Sequence, residues 1–112
     1  MIKQDTLENQ VKSIYLGIGS NLGNKKKNIE LAKLELSEND VKILQSSSYY
    51  KSISWPNPKN PKFLNIVIKV KTNLKPLKLL NLCKKIEKTL GRKKSVINSP
   101  RICDIDVLDF NK

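Results

Sequence analysis

The chain has 112 residues, 38% of them hydrophobic and 29% charged, which is typical of a folded domain with one modest core rather than of a disordered segment. No apolar run reaches membrane-spanning length and the polar start lacks a signal-peptide core, so a cytoplasmic protein without a membrane partner is expected. Two cysteines match neither a disulfide framework nor a zinc site, and there is no His to act as a metal ligand or acid–base group. Any catalysis must therefore rely on carboxylates, cations, amides and a bound metal.

The formal net charge of +12 favours phosphate-bearing partners. Nearly all of it comes from Lys spread along the whole chain, a pattern that compositional bias also produces. The two arginines are more informative, because Arg92 and Arg101 flank one short loop. The planar guanidinium suits phosphate, so this loop is predicted to border a phosphate site.

The hydrophobic pattern predicts a polar arm over residues 1–12, followed by one domain over 13–112 with four strands and two helices. Asn24 is expected to cap the first helix, Pro76 to open the second and Gly91 to end it. In chain order the elements are strand Ile14–Gly19, helix 25–38, strand Val41–Tyr50, strand Phe63–Thr72, helix 76–90 and strand Ile102–Leu108.

Two apolar stripes and one long loop complete the pattern. The stripes are expected to face the core, as Ile29, Ala32 and Leu36 in the first helix and Leu80, Cys83, Ile86 and Leu90 in the second. Residues 51–62 contain three prolines and are predicted to form a loop. Its Trp55 is either part of a ligand lid or a core residue, and the sequence leaves both open.

The element order β-α-β-β-α-β predicts an α+β two-layer sandwich of ferredoxin-like type, with an antiparallel sheet and two helices on one face. Side chains alternate along a strand, so the apolar sets that begin at Ile14, Leu64 and Cys103 are expected to face the helices. The open face then gathers Tyr15, Gly17, Phe63, Asn65, Asp104 and Asp106.

The paired carboxylates of Asp104 and Asp106 are the most informative part of that face. They would stand about 7 Å apart along the strand and would repel each other unless a cation lay between them. Mg²⁺ is a suitable cation, since it binds through one or two carboxylates together with substrate phosphates. The alternative is a solvated edge strand whose charges prevent aggregation. The neighbouring aromatic and amide favour a site for a flat polar ring and a metal-bound phosphate.

Several short motifs occur in an order that matches one enzyme family. They are Gly17-Ile18-Gly19-Ser20-Asn21-Leu22-Gly23, Ser47-Ser48-Tyr49-Tyr50, Phe63-Leu64-Asn65, Ile86-Glu87, Leu90-Gly91-Arg92 and Pro100-Arg101-Ile102-Cys103-Asp104-Ile105-Asp106. Over about residues 13–110 the chain resembles the 6-hydroxymethyl-7,8-dihydropterin pyrophosphokinases of folate biosynthesis. The resemblance implies transfer of the terminal pyrophosphoryl unit of ATP to the hydroxymethyl oxygen of the pterin, with release of AMP.

The resemblance also implies roles for individual residues. Asp104 and Asp106 would hold two Mg²⁺ ions, and Arg92, Arg101 and Asp106 would act in catalysis. The implied pterin-binding residues are Ser52, Trp55, Phe63 and Asn65. The implied nucleotide-binding residues are Lys84, Glu87, Lys94, Arg101 and Val107. The expected partners are ATP and the pterin, with no nucleic acid, and the chain is expected to be a monomer.

The chain also departs from the family pattern. Asn98-Ser99 stands where many members have Trp-Gly, and Ile97 replaces a frequent basic residue. Family members continue past the position of Lys112, so the resemblance implies a truncated form. Two alternatives remain at this point. One is a fragment that binds pterin or MgATP without turnover, and the other is a basic ferredoxin-like RNA-binding domain. An RNA-binding domain of this fold would place stacked aromatics on its central strands and would carry no carboxylate pair, because Asp104 and Asp106 would repel phosphates without a metal.

Overall fold

The computed structural model describes residues 14–91 and 100–110. Its elements, in chain order, are β1 (Ile14–Ser20), α1 (Lys25–Glu38), β2 (Val41–Ser46), β3 (Tyr50–Ser52), β4 (Phe63–Thr72), α2 (Pro76–Thr89) and β5 (Asp104–Phe110). The predicted N-terminal arm, Arg92 and Lys94 lie outside the described residues. Neither described helix is long and apolar enough to cross a membrane.

The strands form one antiparallel sheet in the order β2-β4-β1-β5, with β3 also paired to β4. This is the predicted ferredoxin-like arrangement, with the two helices packed on one face of the sheet. The sequence predicted four strands, and the prediction of one continuous strand over Val41–Tyr50 was wrong. Ser47 is the reason for the break, because its side-chain Oγ accepts a hydrogen bond from the Val67 N–H at 2.9 Å and interrupts the strand ladder.

The core lies between the sheet and the helices, as the strand alternation predicts. Fully buried apolar side chains come from β1, β4 and the start of β5 on one side and from both helices on the other. One predicted core residue was wrong, because Leu80 is 41% exposed whereas Leu79 is fully buried. The buried stripe of α2 contains Leu79, Cys83 and Ile86, whose spacing of four and three residues follows the helical period.

Both helices begin and end where the sequence predicts. The Asn24 side chain accepts a hydrogen bond from the Lys27 N–H at 3.1 Å and caps α1. Pro76 lies in the first turn of α2, and Gly91 follows its last turn with a φ of +108°. A Cβ atom at Gly91 would come within 2.9 Å of Ile102 Cδ1, so this glycine also permits close packing against the segment that leads into β5.

Candidate active site

The open face of the sheet contains a pocket of about 260 Å³ at the ends of β1, β3, β4 and β5. Strand alternation brings Asp104 and Asp106 into it, whereas Cys103 and Ile105 point into the core. Gly19 and Gly17 of β1 lie opposite Asp104 and Asp106 in the strand register, so β1 places no side chain over the two carboxylates. The lining residues are Gly17, Ile18, Gly19, Tyr50, Ser52, Phe63, Asn65, Ile66, Asp104, Asp106 and Leu108.

One arginine contacts the carboxylate pair directly. Arg101 Nη1 lies 3.3 Å from Asp104 Oδ1, and both side chains are about a quarter exposed, at 24% each. Asp106 is exposed to solvent. This edge of the pocket therefore presents two carboxylates and one guanidinium at the solvent boundary, which is a suitable arrangement for a cation and phosphate oxygens.

The opposite wall of the pocket is formed by an amide and an aromatic ring. The Asn65 side-chain Nδ2 donates to Ser52 Oγ at 2.9 Å and to the Tyr50 carbonyl oxygen at 3.3 Å, which ties β3 to β4. A Cβ atom at Gly19 would come within 2.8 Å of Asn65 Oδ1 and 3.3 Å of Phe63 Cδ1. The sequence predicts that strand glycines mark close approach, and here Gly19 is approached by two side chains of the pocket itself.

Two ionisable groups outside the pocket have raised pKa values. Burial, reinforced by the negative charges of Glu87 and Asp106, raises the pKa of the Cys83 thiol to about 11. The thiol is therefore protonated at neutral pH and serves as a small core residue, as predicted. Burial and the hydrogen bond that its hydroxyl donates to Glu30 raise the pKa of Tyr49 to about 12.

No cluster of three or more His, Cys, Asp or Glu side chains that could bind a metal ion occurs within residues 14–91 and 100–110. The two aspartates at the pocket wall would need further oxygen ligands from water or a substrate. That requirement is normal for Mg²⁺, which usually keeps several waters and shares its site with phosphate oxygens.

The comparison with protein families identifies the family of this chain. The family model described as 7,8-dihydro-6-hydroxymethylpterin-pyrophosphokinase matches residues 15–111. The chain belongs to this family. A relative from Aquifex aeolicus (strain VF5), named 2-amino-4-hydroxy-6-hydroxymethyldihydropteridine pyrophosphokinase, is 42% identical over 96 residues, which cover 86% of this chain and 59% of the relative.

Two other relatives match a similar share of this chain. The one from Bacillus subtilis (strain 168) is 34% identical over 99 residues, which cover 88% of this chain and 59% of the relative. A protein named folic acid synthesis protein fol1 from Pneumocystis carinii is 36% identical over 109 residues, which cover 97% of this chain and 14% of the relative. The chain thus spans about three fifths of the length of these bacterial pyrophosphokinases.

The structure brings together several of the residues that the pyrophosphokinase resemblance implies. Ser52, Phe63, Asn65, Asp104 and Asp106 all line the pocket. Arg101 reaches the same site through its ion pair with Asp104. Trp55 does not line the pocket and is 86% exposed, which removes the alternative of a core tryptophan.

Three residues implied to bind the nucleotide lie away from the pocket. Lys84 and Glu87 belong to α2, on the opposite face of the sheet, and the half-buried Val107 packs against the core. The Glu87 carboxylate is only 6% exposed and accepts a hydrogen bond from the Ile105 N–H at 2.7 Å. Its described contact is therefore with the backbone between Asp104 and Asp106, and its nucleotide role stays a prediction.

Tyr50 and Leu108 line the pocket, although neither is among the residues that the sequence predicts for the site. Leu108 could have been found, because it continues the alternation of Asp104 and Asp106 on the open face. The sequence pattern predicts Tyr50 at the end of a longer strand, whereas in the structure it begins β3. The hydrogen bonds of Asn21 and Glu87 gave no signal in the sequence, because each side chain is joined to a segment distant along the chain.

Proposed function

We propose that this chain transfers a pyrophosphoryl group from ATP to the hydroxymethyl oxygen of 6-hydroxymethyl-7,8-dihydropterin, releasing AMP, in folate biosynthesis. Membership of the pyrophosphokinase family supports this reaction. The observation that carries the proposal is the pocket itself, where Asp104, Asp106 and Arg101 stand at one wall and Phe63 and Asn65 at the other. Such a pocket can hold a charged phosphate chain beside a flat polar ring.

The pterin half of the site is assigned to β3 and β4. The half-buried Phe63 ring offers a flat apolar surface. The Asn65 Nδ2 group already donates to Ser52 and Tyr50, so the amide offers its Oδ1 oxygen as an acceptor to the edge of a heterocycle. Ser52 holds the Asn65 amide through a hydrogen bond of 2.9 Å and so limits its rotation. Trp55, on the exposed loop beside β3, is assigned to the rim of the site.

The phosphate half of the site is assigned to Asp104, Asp106 and Arg101. Two carboxylates on one face of β5 fit hard divalent cations, and we assign two Mg²⁺ ions to them. Mg²⁺ supplies charge neutralisation and alignment of the phosphate oxygens with the attacking hydroxyl group when it is bound. Asp106 also offers a carboxylate oxygen that can accept the hydroxyl proton.

The remaining cations complete the nucleotide side of the proposal. Arg101 can donate two parallel hydrogen bonds to phosphate oxygens, which favours the build-up of negative charge during transfer. Arg92 is assigned the same role, and Lys94, Lys84 and Val107 are assigned to contacts with the nucleotide. Glu87 is assigned to this side through its hydrogen bond to the Ile105 N–H, which holds the strand that bears both aspartates.

The decisive assay measures AMP formed from ATP, Mg²⁺ and the pterin. The wild-type chain is compared with the double variant Asp104→Asn, Asp106→Asn and with Asp109→Asn, which makes the same chemical change on the same strand outside the pocket. We expect AMP formation that requires the pterin and falls at least about 100-fold in the double variant, because several kcal/mol of charge stabilisation is lost. Asp109→Asn should stay within about twofold of wild type.

Calorimetry with α,β-methylene ATP, in which the reacting bridge oxygen is replaced, measures nucleotide binding without turnover. Together with the AMP assay it distinguishes an enzyme, a ligand-binding module and a wrongly assigned site. Mg²⁺-dependent binding without any AMP would limit this chain to a ligand-binding module and refute the catalytic proposal. Absence of both AMP and Mg²⁺-dependent binding would refute the assignment of the site as well. Binding of single-stranded RNA at physiological salt that ignores Mg²⁺ would favour the RNA-binding alternative.

A further inference from the structure

Asn21, in the turn after β1, is a buried polar residue to which the proposed reaction assigns no role. It is 2% exposed, and both ends of its side-chain amide are hydrogen-bonded. Nδ2 donates to Ser54 Oγ and to the Pro61 carbonyl oxygen, each at 3.0 Å. Oδ1 accepts from the Arg101 N–H at 2.6 Å, and the backbone N–H of Asn21 donates to the Arg101 carbonyl oxygen at 3.0 Å.

The donor end of the amide holds the base of the loop that carries Trp55. Ser54 is 3% exposed, and its hydroxyl donates to the Pro61 carbonyl oxygen at 2.6 Å, so these two residues close the loop on themselves. The Asn21 Nδ2 group joins both of them to the end of β1. This side-chain NH₂ group therefore links both ends of the loop to the turn after β1.

The acceptor end of the same amide holds the segment that carries Arg101. The backbone N–H and C=O of Arg101 are both bonded to Asn21, while its guanidinium contacts Asp104. Because the main chain of Arg101 is held at two points, its side chain starts from a defined position beside the carboxylates. One buried residue thus contacts both the loop beside the pterin pocket and the arginine beside the phosphate site.

We propose that Asn21 is a positioning residue that aligns the loop 53–62 with Arg101 without touching either substrate. Its chemistry is specific. An amide combines a donor and an acceptor at this length, Asp has no donor when ionised, and Gln is one methylene longer in a site that is fully packed. The kinetic part of this inference rests on the proposed function, whereas the structural part does not.

The test uses Asn21→Asp, which keeps the oxygen that accepts from Arg101 and removes the donor to Ser54 and Pro61. Asn28→Asp is the matched control, because Asn28 Nδ2 donates only to Ser20 Oγ and the Leu22 carbonyl oxygen, in the same turn but away from the loop. Ser54→Ala is a second variant that loosens the loop base by a smaller change. Circular dichroism melts define the temperature at which all the variants are folded.

The first readout is the fluorescence anisotropy of Trp55, the single tryptophan, in the absence of any ligand. Trp55 lies on the loop and is highly exposed, so its anisotropy reports loop motion on the nanosecond scale. We expect a lower anisotropy in Asn21→Asp and in Ser54→Ala and an unchanged value in Asn28→Asp. Equal anisotropy in all four proteins would overturn the inference whether or not the chain is an enzyme.

The second readout separates the two substrates. In Asn21→Asp, which loses both hydrogen bonds that Nδ2 donates, the KM for the pterin should rise about tenfold, and the KM for ATP should stay within about twofold of wild type. A structural defect without positional consequence would lower the amount of active enzyme and leave both KM values unchanged, which would contradict the proposal. If Asn21→Asp does not fold, the anisotropy and KM values of Ser54→Ala are compared with those of Asn28→Asp, and equal values in these two variants would overturn the proposal. If the proposed reaction is wrong, the wild-type chain forms no AMP. The anisotropy measurement, which needs no substrate, would still test whether Asn21 holds the loop.

Discussion

The hydrogen bond from the Ile105 N–H to the Glu87 carboxylate gives the sharpest prediction about how the aspartate strand is held. In the sheet order β5 is an edge strand, so this N–H receives its acceptor from α2 rather than from a neighbouring strand. Glu87→Ala leaves the buried N–H without an acceptor, which costs about 1–3 kcal/mol. The lost methylene packing adds roughly 1 kcal/mol, so the free energy of unfolding should fall by about 3 kcal/mol in all. Glu87→Gln keeps an oxygen in place and loses only the charge, about 1 kcal/mol.

Urea unfolding measures these differences, and amide hydrogen exchange locates them. The Ile105 amide should exchange faster in Glu87→Ala than in Glu87→Gln by at least about tenfold, since 1.4 kcal/mol corresponds to one factor of ten. Glu38→Ala, at an exposed position of α1, is the control and should change stability by less than about 0.5 kcal/mol. A change in the free energy of unfolding no larger in Glu87→Ala than in Glu38→Ala would refute this role of Glu87. Equal exchange rates of the Ile105 amide in wild type and Glu87→Ala would also refute it.

Two further predictions concern the pocket wall and a tyrosine next to β3. Gly19→Ala should raise the KM for the pterin severalfold, because its Cβ would come within 2.8 Å of Asn65 Oδ1. Gly17→Ala is the control and should stay near the wild-type KM, because its Cβ adds only an ordinary contact of 3.4 Å to Leu108. Equal KM values in the two variants would contradict this prediction. For Tyr49 the folded-state pKa of about 12 lies above the ordinary tyrosine value of 10.0. The stability that comes from its protonated hydroxyl is therefore present below pH 10 and is lost as the pH rises towards 12. The difference in free energy of unfolding between wild type and Tyr49→Phe should therefore shrink over that interval, and a constant difference would rule out the assignment.

Most of the fold follows from signals that act over a few residues. The alternation of β1 and β4, the cap at Asn24 and the glycine at Gly91 each predict a local structure that is present. The two errors arise from contacts between segments that are distant along the chain. Ser47 provides a side-chain acceptor that ends β2 early, and the choice between Leu79 and Leu80 depends on how α2 is rotated over the sheet. That rotation is set by packing between elements, which the helical period alone does not determine.

The pocket was predictable to the extent that it depends on strand faces. Asp104, Asp106 and Asn65 reach the open face because of alternation, and the element order brings their strands to either side of β1. The supports of the pocket were not predictable in this way. Asn21 and Glu87 act through hydrogen bonds to residues that are 80 and 18 positions away in the chain, and no periodic pattern encodes such pairs.

The two faces of β5 have different roles, since one packs against the core and the other presents the two carboxylates to the pocket. On the core side, Ile105 packs among buried side chains and its N–H is bound by Glu87, so the strand has little freedom to shift. On the open side, the same strand presents two negative charges to which Arg101 contributes one positive charge. Like charges held close together raise the free energy of the folded chain unless cations join them. The packing on the core side therefore holds Asp104 and Asp106 close together despite their repulsion. Binding of divalent cations would reduce that repulsion. The formal charge of +12 on the chain as a whole would attract anionic ligands towards this site.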